Sequence, residues 1–208
     1  MSGTITALAV QKNNKERVNV FLDDQYAFAV TLNVALTLKK GQFLHPEEIS
    51  RLQYDDQVNK AYQRALHYLS FRPRTRQEVQ QNLQEKEYDA EIIELALERL
   101  EEHNYIDDAE FGRLWVENRA IHNPKGRKAL AYELRQKGLK RIEIDQALEA
   151  LDETSLAWQA IQKKVRQWRT LDKSALRQKL QGYLARRGFS YNTIEITFEQ
   201  LLDEFEDR

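Results

Sequence analysis

The pattern of apolar and polar positions changes near residue 55. Before that point, large apolar residues recur at every second position around 18–22 and 26–30, and a period of two is typical of half-buried β-strands. After it, apolar residues recur at intervals of three and four, which indicates amphipathic helices. The sequence therefore predicts a small β-rich domain followed by a longer helical region.

The β-rich domain is predicted to contain three strands within residues 4–31. A meander of this size needs a helix to cover its apolar face. Residues 32–38 and 46–53 can form helices that provide that cover, and Gly41 interrupts the helical pattern between them. From about Asp55 onward, a new helix is expected to begin the first helical unit.

One stretch of the helical region occurs three times without a gap. Seven positions agree in type among the copies: an arginine, two apolar residues four apart, one apolar residue five further on, and three more that continue the helical spacing. The copies are Arg76–Leu100, Arg127–Leu151 and Arg177–Leu201. Each copy predicts two helices joined by a short turn, and a further helical segment precedes each copy, so each repeat is expected to have three helices.

The turn inside each copy carries its own signal. Gly138 and Gly188 occupy the same place in the second and third copies, which suits a left-handed helix C-cap. Glu87 occupies that place in the first copy, so we expect the first turn to differ in detail.

Together these patterns predict a mainly α fold. It consists of three tandem three-helix repeats that form an elongated, curved array, preceded by a small N-terminal β-rich domain. The predicted domains are a β-meander plus helix at 1–54 and three-helix repeats at 55–104, 105–153 and 154–208.

Composition limits the chemistry that is available. The chain has no cysteine, which excludes disulfides and thiolate metal sites. No apolar run approaches the roughly 18–20 residues of a membrane span, and no signal peptide opens the chain. We therefore interpret the sequence as a cytoplasmic protein with no membrane partner.

Charge is unevenly distributed although the formal net charge is only −1. Residues 119–141 carry eight basic residues and one acid, and residues 163–187 carry nine basic residues and one acid. Residues 85–110 contain eleven acids and two basic residues. Basic surface is thus expected on the first and second helices of the repeats and acidic surface on the third. The alternative is that these charges are solvated helix faces and salt bridges within a repeat.

The cations fall into two groups. The arginines that open the three copies lie beside the core face, so a structural role over the core or against a third helix is favoured over contact with DNA. Other cations are not required by any core argument and are better candidates for contact with phosphates. They are Lys125, Lys128, Lys140, Arg141, Lys164, Arg169, Lys173, Lys179 and Arg186.

Catalytic constellations do not occur in the sequence. The four histidines share no metal-ligand spacing, and there is no glycine-rich phosphate loop, nucleophile elbow or HExxH motif. Helix capping explains Asp107 and Asp108. Core packing is favoured for Trp115 and Trp158, whereas Trp168 between two arginines leaves base stacking as an alternative. We expect no enzyme activity, no cofactor, no metal and no small-molecule substrate.

Several short motifs lie within about residues 60–150 of the helical region. They are Ala65–Leu69, Arg72–Thr75, Glu78–Leu83, Tyr105–Phe111, Gly126, Glu133–Leu134 and Lys137–Gly138. In these motifs the region resembles the RecX family of RecA regulators, and the third repeat and the strand-forming start match that family more loosely. Thr75 replaces the serine that is usual at that helix cap.

The resemblance implies a non-catalytic protein of DNA repair and recombination. Its partner would be the RecA filament, with single-stranded DNA contacted weakly or through the filament. Binding in the filament groove would inhibit the ATPase of RecA, recombination and strand exchange. The sequence leaves two alternatives open: a helix-turn-helix-like DNA-binding protein, and an interaction scaffold that does not need nucleic acid.

Overall fold

The structure is a computed structural model that describes residues 1–206; residues 207 and 208, which end the predicted third repeat, lie outside the described residues. The strands are β1 (Gly3–Val10), β2 (Arg17–Leu22), β3 (Gln25–Thr31) and β4 (Phe43–Leu44). The helices within residues 1–206 are α1 (Leu32–Ala35), α2 (Pro46–Leu69), α3 (Arg76–Gln84), α4 (Ala90–Glu102), α5 (Asp108–His122), α6 (Arg127–Gln136), α7 (Arg141–Ala147), α8 (Glu153–Trp168), α9 (Lys173–Ala185) and α10 (Tyr191–Glu206). The predicted mainly α fold with an N-terminal β-rich part is confirmed.

The chain divides into two compact units. The first contains Met1–Arg72 and Val79–Tyr105, and the second contains Pro73–Glu78 and the chain from Ile106 onward. The second unit therefore includes the segment that leads into α3 as well as the helices α5 to α10.

An antiparallel sheet with strand order β3-β2-β1-β4 opens the first unit. The three predicted strands are present, and the short β4 adds a fourth by pairing with the start of β1. Val18, Val20 and Leu22 are buried at alternate positions of β2, as the period of two predicts. Ala35 of α1 and Ile49 of α2 complete the core on this face.

Helix α2 runs without interruption through 24 residues. A separate helix over 46–53 and a new start near Asp55 were expected, and that expectation is wrong. No glycine or proline interrupts residues 47–69, so the backbone has no reason to leave the helical conformation. Its first part packs on the sheet, and its later part, with Ala61 and Ala65 buried, packs against α4.

A buried carboxylate joins the sheet to α2. Arg17 on β2 donates hydrogen bonds of 2.6 and 3.0 Å to the two oxygens of Asp56, and Lys60 pairs with the same carboxylate at 2.8 Å. Asp56 is only 6% exposed, and a buried charge is tolerated when it is paired and hydrogen-bonded.

Three helices form each repeat: α2 to α4, α5 to α7, and α8 to α10. The apolar pair on the first helix of every sequence copy is fully buried. These residues are Val79 and Leu83, Leu130 and Leu134, and Leu180 and Leu184. In the second unit, Leu151 packs against the cores of both the second and the third repeat. Within residues 1–206, none of the helices has the length and apolarity required to cross a lipid bilayer.

The turn after the second helix has the same backbone in all three repeats. Gly138 and Gly188 have φ of 91° and 80°, which confirms the predicted left-handed caps. Glu87 also has a positive φ, 61°, and Tyr88 donates to the carbonyl of Leu83 as its counterparts do in the other turns. The expectation that the first turn differs is wrong: glutamate adopts there a conformation that costs about 1–2 kcal/mol for a residue with a Cβ.

Within the second unit, each glycine turn docks onto the start of a helix from the preceding repeat. Gly126, just before α6, donates to the carbonyl of Arg187 at 2.9 Å, and Lys128 donates through its backbone to Gly188 at 3.3 Å. Thr75, the equivalent of Gly126, is fully buried and donates through its hydroxyl to the carbonyl of Lys137 at 2.7 Å. The repeated turn is thus also a repeated contact.

Candidate nucleic-acid interface

The arginines that open the second and third copies have structural roles. Arg127 donates at 2.7 Å to the carbonyl of Leu148, at the end of α7. Arg177 forms an ion pair with Glu195 on α10, and its guanidinium lies 5.4 Å from the centre of the Phe198 ring. Both side chains reach the third helix of their own repeat, which confirms the predicted preference for a structural role.

One candidate cation, Lys125, belongs to a partly buried network around Glu133. The carboxylate of Glu133 accepts hydrogen bonds from the indole of Trp115 and from Arg119, each at 2.8 Å, and also from Lys125. Burial alone would raise the pKa of Glu133, but these three donors outweigh it and hold the pKa below its ordinary value. Lys125 therefore already balances a charge inside the second unit.

Three other candidates meet in a groove between α8 and α9. A cavity of about 400 Å³ is lined by Lys164 on α8, by Lys179 on α9 and by Arg186 directly after α9, and its lining contains no acidic side chain. Tyr183 forms part of the lining, and its hydroxyl donates at 3.1 Å to the carbonyl of Ala160. We call this cavity the α8–α9 groove.

Trp168 lines part of the α8–α9 groove but belongs to the core. It is 6% exposed and packs edge-on against Tyr183, with ring centres 5.6 Å apart. Trp168 is therefore a core residue, and the alternative that it stacks on a base is wrong, because its side chain is buried.

Gly182 lies in the interior of α9, where glycine is destabilising by roughly 0.5–1 kcal/mol relative to alanine. A Cβ placed there would meet only the guanidinium of Arg186, at an ordinary distance of 3.4 Å. Packing therefore does not require glycine at this position. Because Gly182 has no side chain, the backbone of α9 is uncovered where it lines the α8–α9 groove.

A second hollow, of about 390 Å³, adjoins the groove and shares Tyr183 and Arg186 with it. Lys125, Asn123 and Arg187 also line this hollow. Cationic side chains thus continue from the third repeat to the loop before α6, all within the second unit, and of these Lys125 is paired with Glu133. Such a series of cations suits a ligand with regularly spaced negative charges.

The remaining candidates lie outside the lining of the α8–α9 groove, at positions near helix starts or ends. Lys128, Lys140, Arg141 and Lys173 are exposed at the starts of α6, α7 and α9, and Arg169 is exposed at the end of α8. A cation at the start of a helix opposes the macrodipole, so the first four do not favour helix formation. Arg141 pairs weakly with Asp145, at 3.5 Å between exposed groups.

Sequence reasoning did not identify Gly182 and Tyr183 as part of a site. Gly182 did give a signal, because a glycine inside an otherwise helical pattern lowers helix stability and often has a packing or functional reason. No comparable signal marked Tyr183, whose place beside the cations depends on how α8 and α9 pack.

A small antiparallel sheet, three three-helix repeats and a basic groove in the last repeat define a helical-repeat protein with a surface suited to a polyanion. Family models match almost the whole chain. The N-terminal domain of regulatory protein RecX matches residues 3–45, and the first, second and third RecX three-helix domains match residues 61–100, 107–148 and 152–196. The chain belongs to the RecX family.

Curated relatives and a solved structure agree with this assignment. Regulatory protein RecX of Bacillus subtilis is 37% identical over 202 residues, which cover 95% of this chain and 76% of the relative. Regulatory protein RecX of Bacillus pumilus is 37% identical, with 98% and 79% covered. A crystal structure of regulatory protein RecX has a TM-score of 0.82 and 31% identity, covering 96% of this chain and all of that chain. Membership of a family named for regulation supports a regulatory role.

Proposed function

We propose that this chain is a negative regulator of the RecA recombinase. It binds in the groove of the RecA filament on single-stranded DNA and inhibits the ATPase of RecA, recombination and strand exchange. The observation that carries the proposal is the match of all four RecX domains, in order, over residues 3–196. The protein acts by binding and not by catalysis, in the cytoplasm where the filament forms.

The charges of the second unit support a nucleoprotein partner. In the α8–α9 groove, Lys164, Lys179 and Arg186 form no ion pair with a described residue, so phosphates can approach them without first displacing a carboxylate. Gly182 lets a sugar–phosphate chain approach α9 more closely than a side chain would permit. The groove is therefore the part of this protein that we assign to the DNA strand of the filament.

The acidic third helices support contact with protein. In α4, the glutamates are exposed at positions 91, 94, 98 and 101, on the side opposite to its buried apolar residues. Exposed carboxylates repel a DNA backbone and suit basic side chains. We assign this face to RecA subunits.

The decisive experiment measures the single-stranded-DNA-dependent ATPase of RecA as the protein is added in increasing amounts, with sedimentation of filaments to follow binding. We expect substoichiometric or stoichiometric loss of ATPase and strand exchange, together with co-sedimentation. Full RecA activity at saturating protein, with no co-sedimentation, would refute the proposal.

The same assay with variants tests the assignment of the groove. Replacing Lys164, Lys179 and Arg186 together by alanine should weaken filament binding without lowering the melting temperature, since none of the three has a charged partner in the described residues. The matched control replaces Arg135, Lys163 and Arg166, which are exposed, lie outside the groove lining and are not candidate contacts. Equal losses of filament binding in the two triple variants would show that binding depends on net charge and not on the groove.

Salt dependence separates a DNA contact from a pure protein scaffold. Contacts with phosphates release counterions, so affinity should fall steeply as salt is raised. Affinity that is independent of salt would favour the scaffold alternative, and enrichment of one duplex motif in a binding selection would favour the helix-turn-helix alternative.

A further inference from the structure

The first unit contains a cavity that the proposed function does not use. Its volume is about 650 Å³, and it lies between the end of the sheet and helices α2 and α4. Arg17, Lys60, Arg64 and Arg99 line it, and Glu16 is the acid in its lining. We call it the β–α2 pocket. A volume of this order is typical of small-molecule sites.

Two of these cations are held in place by the fold. Arg17 is fixed by both oxygens of Asp56. Arg99 donates to the side-chain oxygen of Asn59 at 2.7 Å, and its guanidinium lies 4.2 Å from the centre of the Tyr62 ring. Because these contacts occupy only part of each guanidinium, the remaining N–H groups are oriented in advance, which lowers the entropic cost of binding an anion.

The positive charge of the pocket is not fully balanced. Arg17 and Lys60 share the single carboxylate of Asp56, so one positive charge of that group remains. Arg64 is exposed and has no charged partner among the described residues. The partners of Arg99 are the side-chain amide of Asn59 and the ring of Tyr62, and both are uncharged. Against these stands exposed Glu16 alone. The pocket therefore favours an anionic ligand.

The rest of the lining is chemically mixed. Tyr88 and Leu32 provide apolar surface, and Asn33 and Gln63 provide side-chain amides. Asn59 contributes a third amide, whose oxygen already accepts from Arg99. An amide offers a donor and an acceptor together, which suits the edge of a nucleobase, whereas an acidic peptide would need donors only. Arginines in the same cavity suit a phosphate.

We propose that the β–α2 pocket binds a nucleotide, with Arg64 and Arg99 on the phosphate and the amides and Tyr88 against the base. The ligand is a free nucleotide or the phosphorylated end of a nucleic-acid strand, which share this chemistry. This site lies in the first unit and goes beyond the proposed function. It would also revise the sequence expectation that small molecules have no place in this protein.

The test measures binding to the full chain by titration calorimetry and maps the site by amide chemical shifts. The probes are deoxyadenosine monophosphate, deoxyadenosine, inorganic phosphate, and an oligodeoxyadenylate with and without a 5′-phosphate. We expect the monophosphate to bind more tightly than either of its parts and to shift the amides of residues 59–64 and Tyr88. Binding of the strand only when it carries the 5′-phosphate, without binding of the free monophosphate, would identify the strand end as the source.

The matched variants are Arg64→Ala and Arg51→Ala. Both arginines are exposed on α2, but Arg51 lies outside the pocket lining. Arg64→Ala should weaken the monophosphate about tenfold or more, as expected for loss of a charged hydrogen bond, and Arg51→Ala should leave it unchanged. Equal affinities of the two variants, no saturable binding of any phosphorylated probe, or binding of a polyglutamate peptide in place of the nucleotide would each overturn the proposal.

Because the readout uses no RecA, its result is independent of the proposed regulatory function. Loss of nucleotide binding in Arg64→Ala, with RecA inhibition retained, would place the two properties in different units. Loss of RecA inhibition with nucleotide binding intact would contradict only the proposed function.

Discussion

The turns of the first and third repeats have the same backbone conformation, but they differ in whether a side chain fits at the position with positive φ. Glu87 and Gly188 both have positive φ. Glu87 is exposed, so its Cβ has room, whereas a Cβ at Gly188 would lie 2.5 Å from the backbone nitrogen of Ala129. The comparison shows that the turn requires glycine mainly where a Cβ would clash with the helix docked against it, and less because of the positive φ itself.

A second comparison concerns the residue that directly precedes the second buried apolar residue of each copy, which is Leu83, Leu134 or Leu184. In the second repeat it is Glu133, which gathers Trp115, Arg119 and Lys125 into a polar network. In the third repeat it is Tyr183, which packs on Trp168 and lines the α8–α9 groove. The same helix position thus neutralises cations in one repeat and leaves them available in the next.

The largest effect is expected at the docked turn. Gly188→Ala combines an unfavourable left-handed conformation with a steric clash against the backbone of α6, and should destabilise the protein by about 3 kcal/mol. Denaturant unfolding followed by tryptophan fluorescence measures this. If Gly188→Ala costs no more than the dihedral strain alone, the docking explanation fails.

The network around Glu133 gives the next effect. Glu133→Gln should destabilise the protein by about 2 kcal/mol at neutral pH, because hydrogen bonds to a charged, partly buried acceptor are lost. The folded pKa of Glu133 is lowered, so its contribution is complete above the unfolded pKa of about 4.3 and disappears as pH falls through the folded value.

A pH series therefore checks the sign of this effect. The difference in unfolding free energy between the parent protein and Glu133→Gln should be constant from pH 7 to about pH 5 and should shrink in more acidic solution. A difference that grows on acidification would contradict the assigned direction of the pKa shift.

Relieving the strain in the first turn should stabilise the protein. Glu87→Gly should add about 0.5–1 kcal/mol, the gain from removing a Cβ in the left-handed region less the extra freedom of glycine in the unfolded chain. The control is Glu85→Gly, two residues earlier at a position without positive φ, which should destabilise the protein by a similar amount. Thermal melting of both variants decides the point, and a loss of stability in both would show that Glu87 makes a compensating contact.

A substitution at Gly182 should have a similarly small effect on stability, together with an effect on binding. Gly182→Ala should stabilise α9 by about 0.5–1 kcal/mol yet weaken binding of single-stranded DNA or of the RecA filament, because a methyl group enters the α8–α9 groove. Gln181→Ala, an exposed neighbour outside the groove lining, should change neither property appreciably. A Gly182→Ala protein that is more stable and binds equally well would show that the groove is not approached closely.

Much of the fold could be read from local patterns. The buried apolar pairs beginning with Val79 and Leu83 follow from helical periodicity, and the left-handed caps at Gly138 and Gly188 follow from the residue type. Two errors had different origins. The uninterrupted α2 follows from a local sequence that contains no glycine or proline over residues 47–69, whereas the left-handed Glu87 shows that the surrounding structure can impose a conformation that the residue type opposes.

Only part of the candidate site could be predicted from the sequence. The basic character of residues 163–187 was visible in the sequence, but Lys125 proved to be paired with Glu133, and Gly182 and Tyr183 were not identified as partners of the cations. Residue type states what charge a side chain carries; it does not state whether a carboxylate from another helix lies next to it.

The sequence by itself determined the repeated three-helix module, its apolar core positions and its family, because these depend on spacing along one helix and on motifs within one copy. Only the tertiary structure decided which cations converge on the α8–α9 groove, which are neutralised, and that a pocket lies between the sheet and α2. The physical reason is that these features join residues far apart in the chain, and their distances depend on how whole helices pack.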